Sequence, residues 1–493
     1  MSTFSLLDGG IVGVYLIACM AAGIMVRKYV AKVDDFVVAG REMNVYLGIA
    51  SLAATEFGIV TCMYTAQNGY DKGFAGATPG ILTAIAMMLV GITGFCIKPL
   101  RDAGVITIPE LFEKKFGGRI RWMSGVVIVL GGLLNMGVFL RIGGEFLVMV
   151  CGLNPKYLEI TMTILLVSVA IYTILGGMLS VLITDYLQFI VMSVGLIIVT
   201  ILILAKIGLG TLFSVVETHY GSGGFNPFTH PQMGWDYVIF NLFIAFASVL
   251  TWQTMVQRAL SAKNSKVGRA IYKGTSFFFV CRFLIPGIWG IAALATLAPE
   301  VVGKNTLMAM PKFLSTFVPT GLMGILIAAM LAADMSTDSA YMVTWGSVIY
   351  NDILAPFRKS KWSEKRGLLW NRMIVGIIGI FLLLYGLWYP LKGDLWTYLM
   401  VTGSIYLSSM TILLIACCYW KKANNWGAGA TIIFGAVMPV SYLILEQLPA
   451  TAPLVAKQIG PYVWGTLTFV AAGLAMVVGS LLKPNGKKVE ALS

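Results

Sequence analysis

Histidine and charge are what this sequence has least of. Its 493 residues include 2 histidines, and 12% of the chain is charged. A water-soluble domain carries about a quarter charged residues, so a globular fold in water is excluded, as are a disordered chain and a collagen-like one. Both histidines, His219 and His230, sit in one segment between apolar runs. With no clustered histidines, and with its acids mid-run rather than paired near a lipid-water boundary, the chain is not expected to be a membrane-embedded hydrolase or transferase. The 7 cysteines are an odd number, lie in or at the ends of apolar runs, and form no CxxC pair. They read as small apolar side chains rather than a disulfide scaffold or metal site. Also missing are a ring-forming charged repeat, which argues against a channel, an appended signalling domain, and a basic segment before the first apolar run. That run therefore reads as a retained span, not a cleaved signal.

What fills the chain is apolar: 58% of residues are hydrophobic and the mean hydropathy is +0.85. Uncharged runs cover 9–26, 73–97, 122–140, 160–184, 186–205, 237–257, 313–333, 373–391, 395–420, 423–445 and 458–482. Each can cross roughly 30 Å of hydrocarbon at about 1.5 Å per residue. Two more, near 44–70 and 268–298, are interrupted by Glu56 and Arg282. The expected fold is therefore all-α and polytopic, with about thirteen spans. A β-barrel would show alternating ten-residue segments, and these runs do not alternate.

The net charge of +13 suggests a nucleic-acid partner until the charges are placed. Loops after odd-numbered spans hold 26 lysines and arginines and loops after even-numbered spans hold 7. This split puts the N-terminus outside and the C-terminus in the cytoplasm of a multi-pass cell-membrane protein. Orientation explains the basicity, so no nucleic-acid partner is expected, and no obligate protein partner is evident. The longest outside segment, 207–235, reads as an ordered loop or short surface helix. Spans two and seven correspond weakly, since each opens a block of five spans and carries polar residues mid-membrane: Thr55 and Glu56 in one, Trp252 and Gln253 in the other. Inverted repeats of transporters look like this.

Seven ionisable residues fall inside spans: Glu56, Arg141, Glu145, Asp185, Arg282, Asp334 and Asp338. At the centre of a lone helix each costs at least about 2.5 kcal/mol, so each must face a polar interior or a partner. Arg141 and Glu145, one turn apart, can neutralise each other. In span nine, Ala333, Ser336, Thr337 and Ala340 share a helical stripe, and Asp334, Asp338, Tyr341 and Trp345 form a second about 100° round. Two hydroxyls with small neighbours suit a small hard cation that wants oxygen ligands; the alternative is back-bonding to their own helix. In span two, the run Ala53-Ala54-Thr55-Glu56-Phe57-Gly58 is a plausible helix break, which would free carbonyl oxygens mid-membrane.

At this point the chain resembles the sodium/solute symporter family, whose members carry sugars, proline, sialic acid, choline, pantothenate and other solutes. The resemblance runs along nearly the whole chain. It rests on Asp35-Phe36-Val37-Val38-Ala39-Gly40-Arg41 before span two, and on Thr107-Ile108-Pro109-Glu110-Leu111 with Phe116-Gly117 after span three. It continues with Tyr172-Thr173-Ile174-Leu175-Gly176-Gly177-Met178-Leu179-Ser180, then Thr184-Asp185 and Gln188, and with Gln257-Arg258-Ala259-Leu260-Ser261-Ala262-Lys263 after span seven.

The resemblance implies a leucine-transporter-like core of two inverted five-helix repeats. These would be 44–206 (spans two to six) and 235–420 (spans seven to eleven), joined by an outer loop at 207–234. Residues 1–43 and 421–493 would be peripheral. It also implies Na⁺ as the coupling ion with no organic cofactor, and a small organic solute. The family's common sodium site falls on the carbonyls of Ala54, Phe57 and Ala333 and the hydroxyls of Ser336 and Thr337. A second site found in some members falls on Asp185, Ser336 and Ser339; Ala340 stands where those members place a hydroxyl, and Asp338 could substitute. The sugar-carrying branch is matched poorly, since its substrate and gating positions fall on Glu56, Thr61, Ser248 and Arg282. With Trp252 and Gln253, these are the substrate-contact candidates. A guanidinium fork at Arg282 suits a carboxylate, which favours a carboxylate or zwitterion over a neutral sugar; Glu56 or Asp334 is its alternative partner. The competing readings are proton coupling on the same fold and a non-transporting solute sensor.

Overall fold

The computed structural model describes residues 3–357, 362–389 and 394–484. The loop charges Arg358, Lys359, Lys361, Lys392, Lys487 and Lys488 counted above lie outside the described residues. Within them the chain is helical throughout, as apolar segments must be where lipid offers the backbone no hydrogen bonds. An isolated bridge joins Met43 to Ala262. It ties the entry of span two to the exit of span seven, Met43 donating to the Ser261 carbonyl and accepting from Lys263.

Eleven helical stretches are long and apolar enough to cross a membrane. The sequence gives a larger number because two of these stretches, Ile59–Thr93 and Pro155–Ile207, each take in parts of two expected spans. In the second, the helix Leu158–Ile207 is interrupted at Gly177, with φ 53° and ψ −144°. A Cβ there would stand 2.5 Å from the Phe36 ring, so both the turn and the close approach require glycine.

Span nine is displaced from its expected limits. The helix runs Leu322–Val348, and the first part of the apolar run is a separate helix, Ala309–Phe317. Pro319 and Gly321 (φ +86°) divide them. The far end continues through Asp334 and Asp338, where a rule that stops at charge ends too early. Asp8 of the first span holds the start of this helix, its carboxylate accepting from Gly321 N–H at 2.8 Å and Gly324 N–H at 2.6 Å. Helix starts elsewhere carry polar caps, such as Asn44 accepting from Leu47 N–H at 2.9 Å. The segment 207–235 contains a short helix, Leu209–Tyr220.

The spans that matter for function are broken mid-membrane. Span two is Val45–Thr55 followed by Ile59–Lys72, and Gly58 between them is extended at φ −101°, ψ 176°. Span seven is Gly234–Thr251 followed by Gln253–Ser261, with Trp252 extended at φ −63°, ψ 109°. The polar residues that made these two spans resemble each other mark both breaks.

Candidate functional site

The small-residue run of span two lets its break lie against span nine. A Cβ on Gly58 would stand 2.8 Å from Thr337 Oγ1. The Thr337 hydroxyl lies 3.0 Å from the Ala333 carbonyl oxygen of its own helix and 3.0 Å from the Thr55 carbonyl oxygen at the break. Three uncharged oxygens from two helices therefore meet where the span-two helix stops, a donor set that fits a hard monovalent cation. The Ala54 carbonyl accepts from Phe57 N–H at 3.3 Å, closing the last turn before the break.

Ser336, the other expected hydroxyl, donates to Asp185 Oδ1 at 2.5 Å. Asp185 is fully buried and also accepts from Ser51 at 2.5 Å, from Thr55 at 3.4 Å and from Arg258 Nη2 at 3.2 Å. Arg258, expected in the loop after span seven, lies instead inside the protein: it has no exposed surface, and its guanidinium also bonds Ser51, the Thr254 carbonyl and the Thr55 hydroxyl. The helix of span seven continues to Ser261, which carries Arg258 back into the protein. Of the residues assigned to a second cation, Ser339 donates to the Ser336 carbonyl at 3.2 Å. Asp338 is buried with its Oδ1 unpartnered among the described residues.

A cavity lies between the two broken spans and spans three, four, eight, nine and eleven. Glu56, Thr61, Ser248, Trp252 and Arg282 line it, together with Thr337 from the oxygen cluster. Glu56 accepts from Thr254 Oγ1 at 2.9 Å and faces Arg282 Nη1 at 3.7 Å. Arg282 also donates to Tyr64 Oη at 2.9 Å and to Thr61 at 3.4 Å. The Phe279 and Phe283 rings lie 5.5 and 5.9 Å from its guanidinium carbon. Its Nε has no partner among the described residues. Trp252 donates to Tyr341 Oη at 3.2 Å and stacks on Tyr406 at 5.7 Å.

Gln253 does not line this cavity. It is fully buried and its amide nitrogen lies 3.4 Å from Gln257 Oε1. The break at Trp252 resets the helical phase, and Thr254 and Met255 face Glu56 and the cavity instead. The second stripe of span nine does reach it, through Asp334 and Tyr341.

The sequence missed Tyr64, Asn135, Phe139 and Trp396, which also line the cavity. Tyr64, Phe139 and Trp396 are residue types common in apolar spans, whereas Asn135, an amide inside the apolar run 122–140, was a signal the uncharged-run rule passes over.

Paired broken helices around a polar mid-membrane cavity, with an oxygen cluster at one break, define a cation-coupled carrier of small solutes. A model of the sodium:solute symporter family matches residues 36–435, and the chain belongs to that family. It is 28% identical over 492 aligned positions to sodium/glucose cotransporter 4 of Danio rerio, which covers 91% of this chain and 73% of the relative. It is 26% identical to sodium/mannose cotransporter SLC5A10 of Bos taurus, over 99% of this chain and 88% of the relative. Among solved structures, a substrate-bound, outward-open Na⁺-coupled sialic acid symporter superposes with a TM-score of 0.83. That match covers 99% of this chain and 100% of the other at 20% identity. MhsT in complex with L-phenylalanine gives a TM-score of 0.56 at 14% identity, covering 90% of this chain and 99% of the other. The protein is a sodium-coupled solute symporter and a multi-pass membrane protein.

Proposed function

We propose that the chain imports a neutral, hydroxyl-rich organic solute together with Na⁺ by alternating access, and catalyses no covalent chemistry. The observation that carries the solute class is the Glu56–Arg282 pair in the central cavity. The expectation of a carboxylate or zwitterion rested on a guanidinium waiting for an anion, and here a protein carboxylate already faces it. The comparisons give that preference no support either, since the relatives named above are sugar cotransporters. A paired acid and guanidinium offer one acceptor and one donor with little net charge. Thr61, Tyr64 and Trp252 add hydroxyl and aromatic surface, a combination suited to a sugar or polyol.

For the ion, the reading retains the carbonyls of Ala54, Phe57 and Ala333 and the hydroxyls of Ser336 and Thr337. The Thr337–Ala333 geometry supports the span-nine part of this set; on span two, the carbonyl oxygen 3.0 Å from Thr337 is that of Thr55. One Na⁺ per cycle is favoured over a second at Asp185, Ser339 and Asp338, because Arg258 already supplies a positive charge beside Asp185. One Na⁺ crossing about 100 mV contributes about 2.3 kcal/mol. A tenfold gradient adds about 1.4 kcal/mol, so a single ion supports roughly 500-fold accumulation.

The repeats at 44–206 and 235–420, the thirteen crossings and the outside N-terminus complete the reading. The test is uptake of a radiolabelled panel (D-glucose, D-mannose, a polyol, proline and sialic acid) into proteoliposomes under a Na⁺ gradient. The hexoses or the polyol are expected to accumulate and the charged solutes not to. Accumulation of proline or sialic acid alone would restore the zwitterion or carboxylate.

A further inference from the structure

Charge does not balance in the central cavity. Glu56 and Arg282 face each other across 3.7 Å and leave little net charge. Asp334 lines the same cavity and is 2% exposed. Among the described residues no lysine or arginine forms an ion pair with it. Burying a carboxylate with no cation beside it is costly, so the protein's own side chains leave one negative charge here to be met by something that binds.

Two neighbours place that carboxylate. Thr337 follows it by three residues, which puts both on one side of the span-nine helix, and both line the cavity together with Gly58 of the span-two break. Gly58 and Thr337 are the residues whose close approach brings the oxygen cluster together. At about 1.5 Å per residue, Asp334 lies about 4.5 Å along the axis from Thr337, on the outer side in the orientation proposed above. Asp338, one turn on, does not line the cavity. In the stretch Gly118–Val150, Gly143 faces Asp334. A Cβ there would stand 3.0 Å from Oδ2 and 3.4 Å from Oδ1, so glycine leaves the carboxylate its room.

Asp334 therefore sits between two ligands. The oxygens of the cluster are uncharged, so a Na⁺ held there brings a charge they do not offset, and Asp334 is the cavity acid not already opposed by an arginine. On the cavity side, an ionised carboxylate accepts several hydroxyl donors. A neutral solute closing over it strips its water. With Na⁺ beside the carboxylate that loss is offset, and without the ion a bare charge is buried.

We infer that Asp334 links ion to solute: its charge draws Na⁺ to the oxygen cluster, and with the ion in place its oxygens accept solute hydroxyls. The inference rests on the neutral, hydroxyl-rich reading of the solute.

The test is the coupling between the two ligands on the purified full chain. Dissociation constants of tritiated D-glucose and D-mannose are measured in K⁺ and at saturating Na⁺. Half-saturating Na⁺ is read from the Na⁺-induced rise in Tm with and without hexose. The two ratios must agree, because coupling is reciprocal. The wild type should show a ratio of about tenfold or more, and Asp334→Asn about twofold or less. Gly143→Ala displaces the carboxylate without removing its charge; its ratio should fall between them, and it gives the answer if Asp334→Asn does not fold. A merely structural Asp334 would weaken both ligands and leave their ratio as in the wild type. A wild-type ratio in Asp334→Asn, or in Gly143→Ala where the first variant does not fold, overturns the link, while hexose binding and Na⁺-driven uptake keep the proposed function intact. Binding of neither hexose under either condition refutes the solute reading, and the link falls with it.

Discussion

Removing the Thr337 hydroxyl while keeping the side chain's shape asks whether the oxygen cluster at the span-two break binds the coupling ion. Thr337→Val deletes an oxygen that lies 3.0 Å from each of two carbonyls on different helices. A hydrogen-bond-scale contact to a charged group contributes about 1.5–3 kcal/mol. At about 1.4 kcal/mol per decade, half-saturating Na⁺ should rise roughly 10- to 150-fold. Thr337→Ser, which restores the oxygen, should recover most of the loss. Gly58→Ala approaches the same oxygen from the other side: its Cβ would stand 2.8 Å from Oγ1, closer than the hydroxyl can tolerate without moving, so Na⁺ affinity should again fall. The assays are the Na⁺ dependence of initial uptake in proteoliposomes and the Na⁺-induced rise in Tm of the purified protein, which follows binding by mass action. Half-saturating Na⁺ within twofold of wild type in both Thr337→Val and Gly58→Ala would refute the assignment.

Two further predictions concern buried charge. Breaking the Glu56–Arg282 pair with Glu56→Gln leaves a guanidinium that is mostly buried, so thermal stability in detergent should fall, by about 3 kcal/mol if the loss is typical of buried pairs. Glu56→Gln combined with Arg282→Gln should recover most of it, and equal stability of single and double variants would show that the pair is not an energetic unit. At Asp185, the wild type should show a Hill coefficient for Na⁺ near one. Asp185→Asn should lose stability that Arg258→Met restores in the double variant, whereas a wild-type coefficient near two that falls to one in Asp185→Asn would place a second ion at that carboxylate.

The break in span two was legible because small residues, an acid and a glycine cluster where a lipid-facing helix has no use for them. The stripes of span nine were legible for a related reason: hydroxyls and carboxylates repeat there at helical spacing. Thr337 of the first lies in the oxygen cluster while Ser336 turns to Asp185, and Asp334 and Tyr341 of the second line the cavity. Arg258 was not legible. It lies one residue past an uncharged run, where a basic residue normally marks the cytoplasm, and its burial depends on an aspartate 73 residues away in sequence. Gln253 misled because polarity near mid-span does not fix which way a side chain points, and a single extended residue, Trp252, rotates everything after it. The partner of Arg282 was not legible either. The sequence offered a protein acid, Glu56 or Asp334, and a solute anion, and only the fold puts Glu56 opposite the guanidinium.

The central claim is coupling to Na⁺, and one measurement bears on it most directly. Purified protein is reconstituted in proteoliposomes at equal pH on both sides, and uptake of the D-glucose, D-mannose and polyol panel is followed under an inward Na⁺ gradient. The account predicts accumulation well above equilibrium with Na⁺ outside, and simple equilibration when K⁺ replaces it. Accumulation driven by a pH gradient in the absence of Na⁺ would contradict the account and assign the coupling to a proton carried at Glu56 or Asp338.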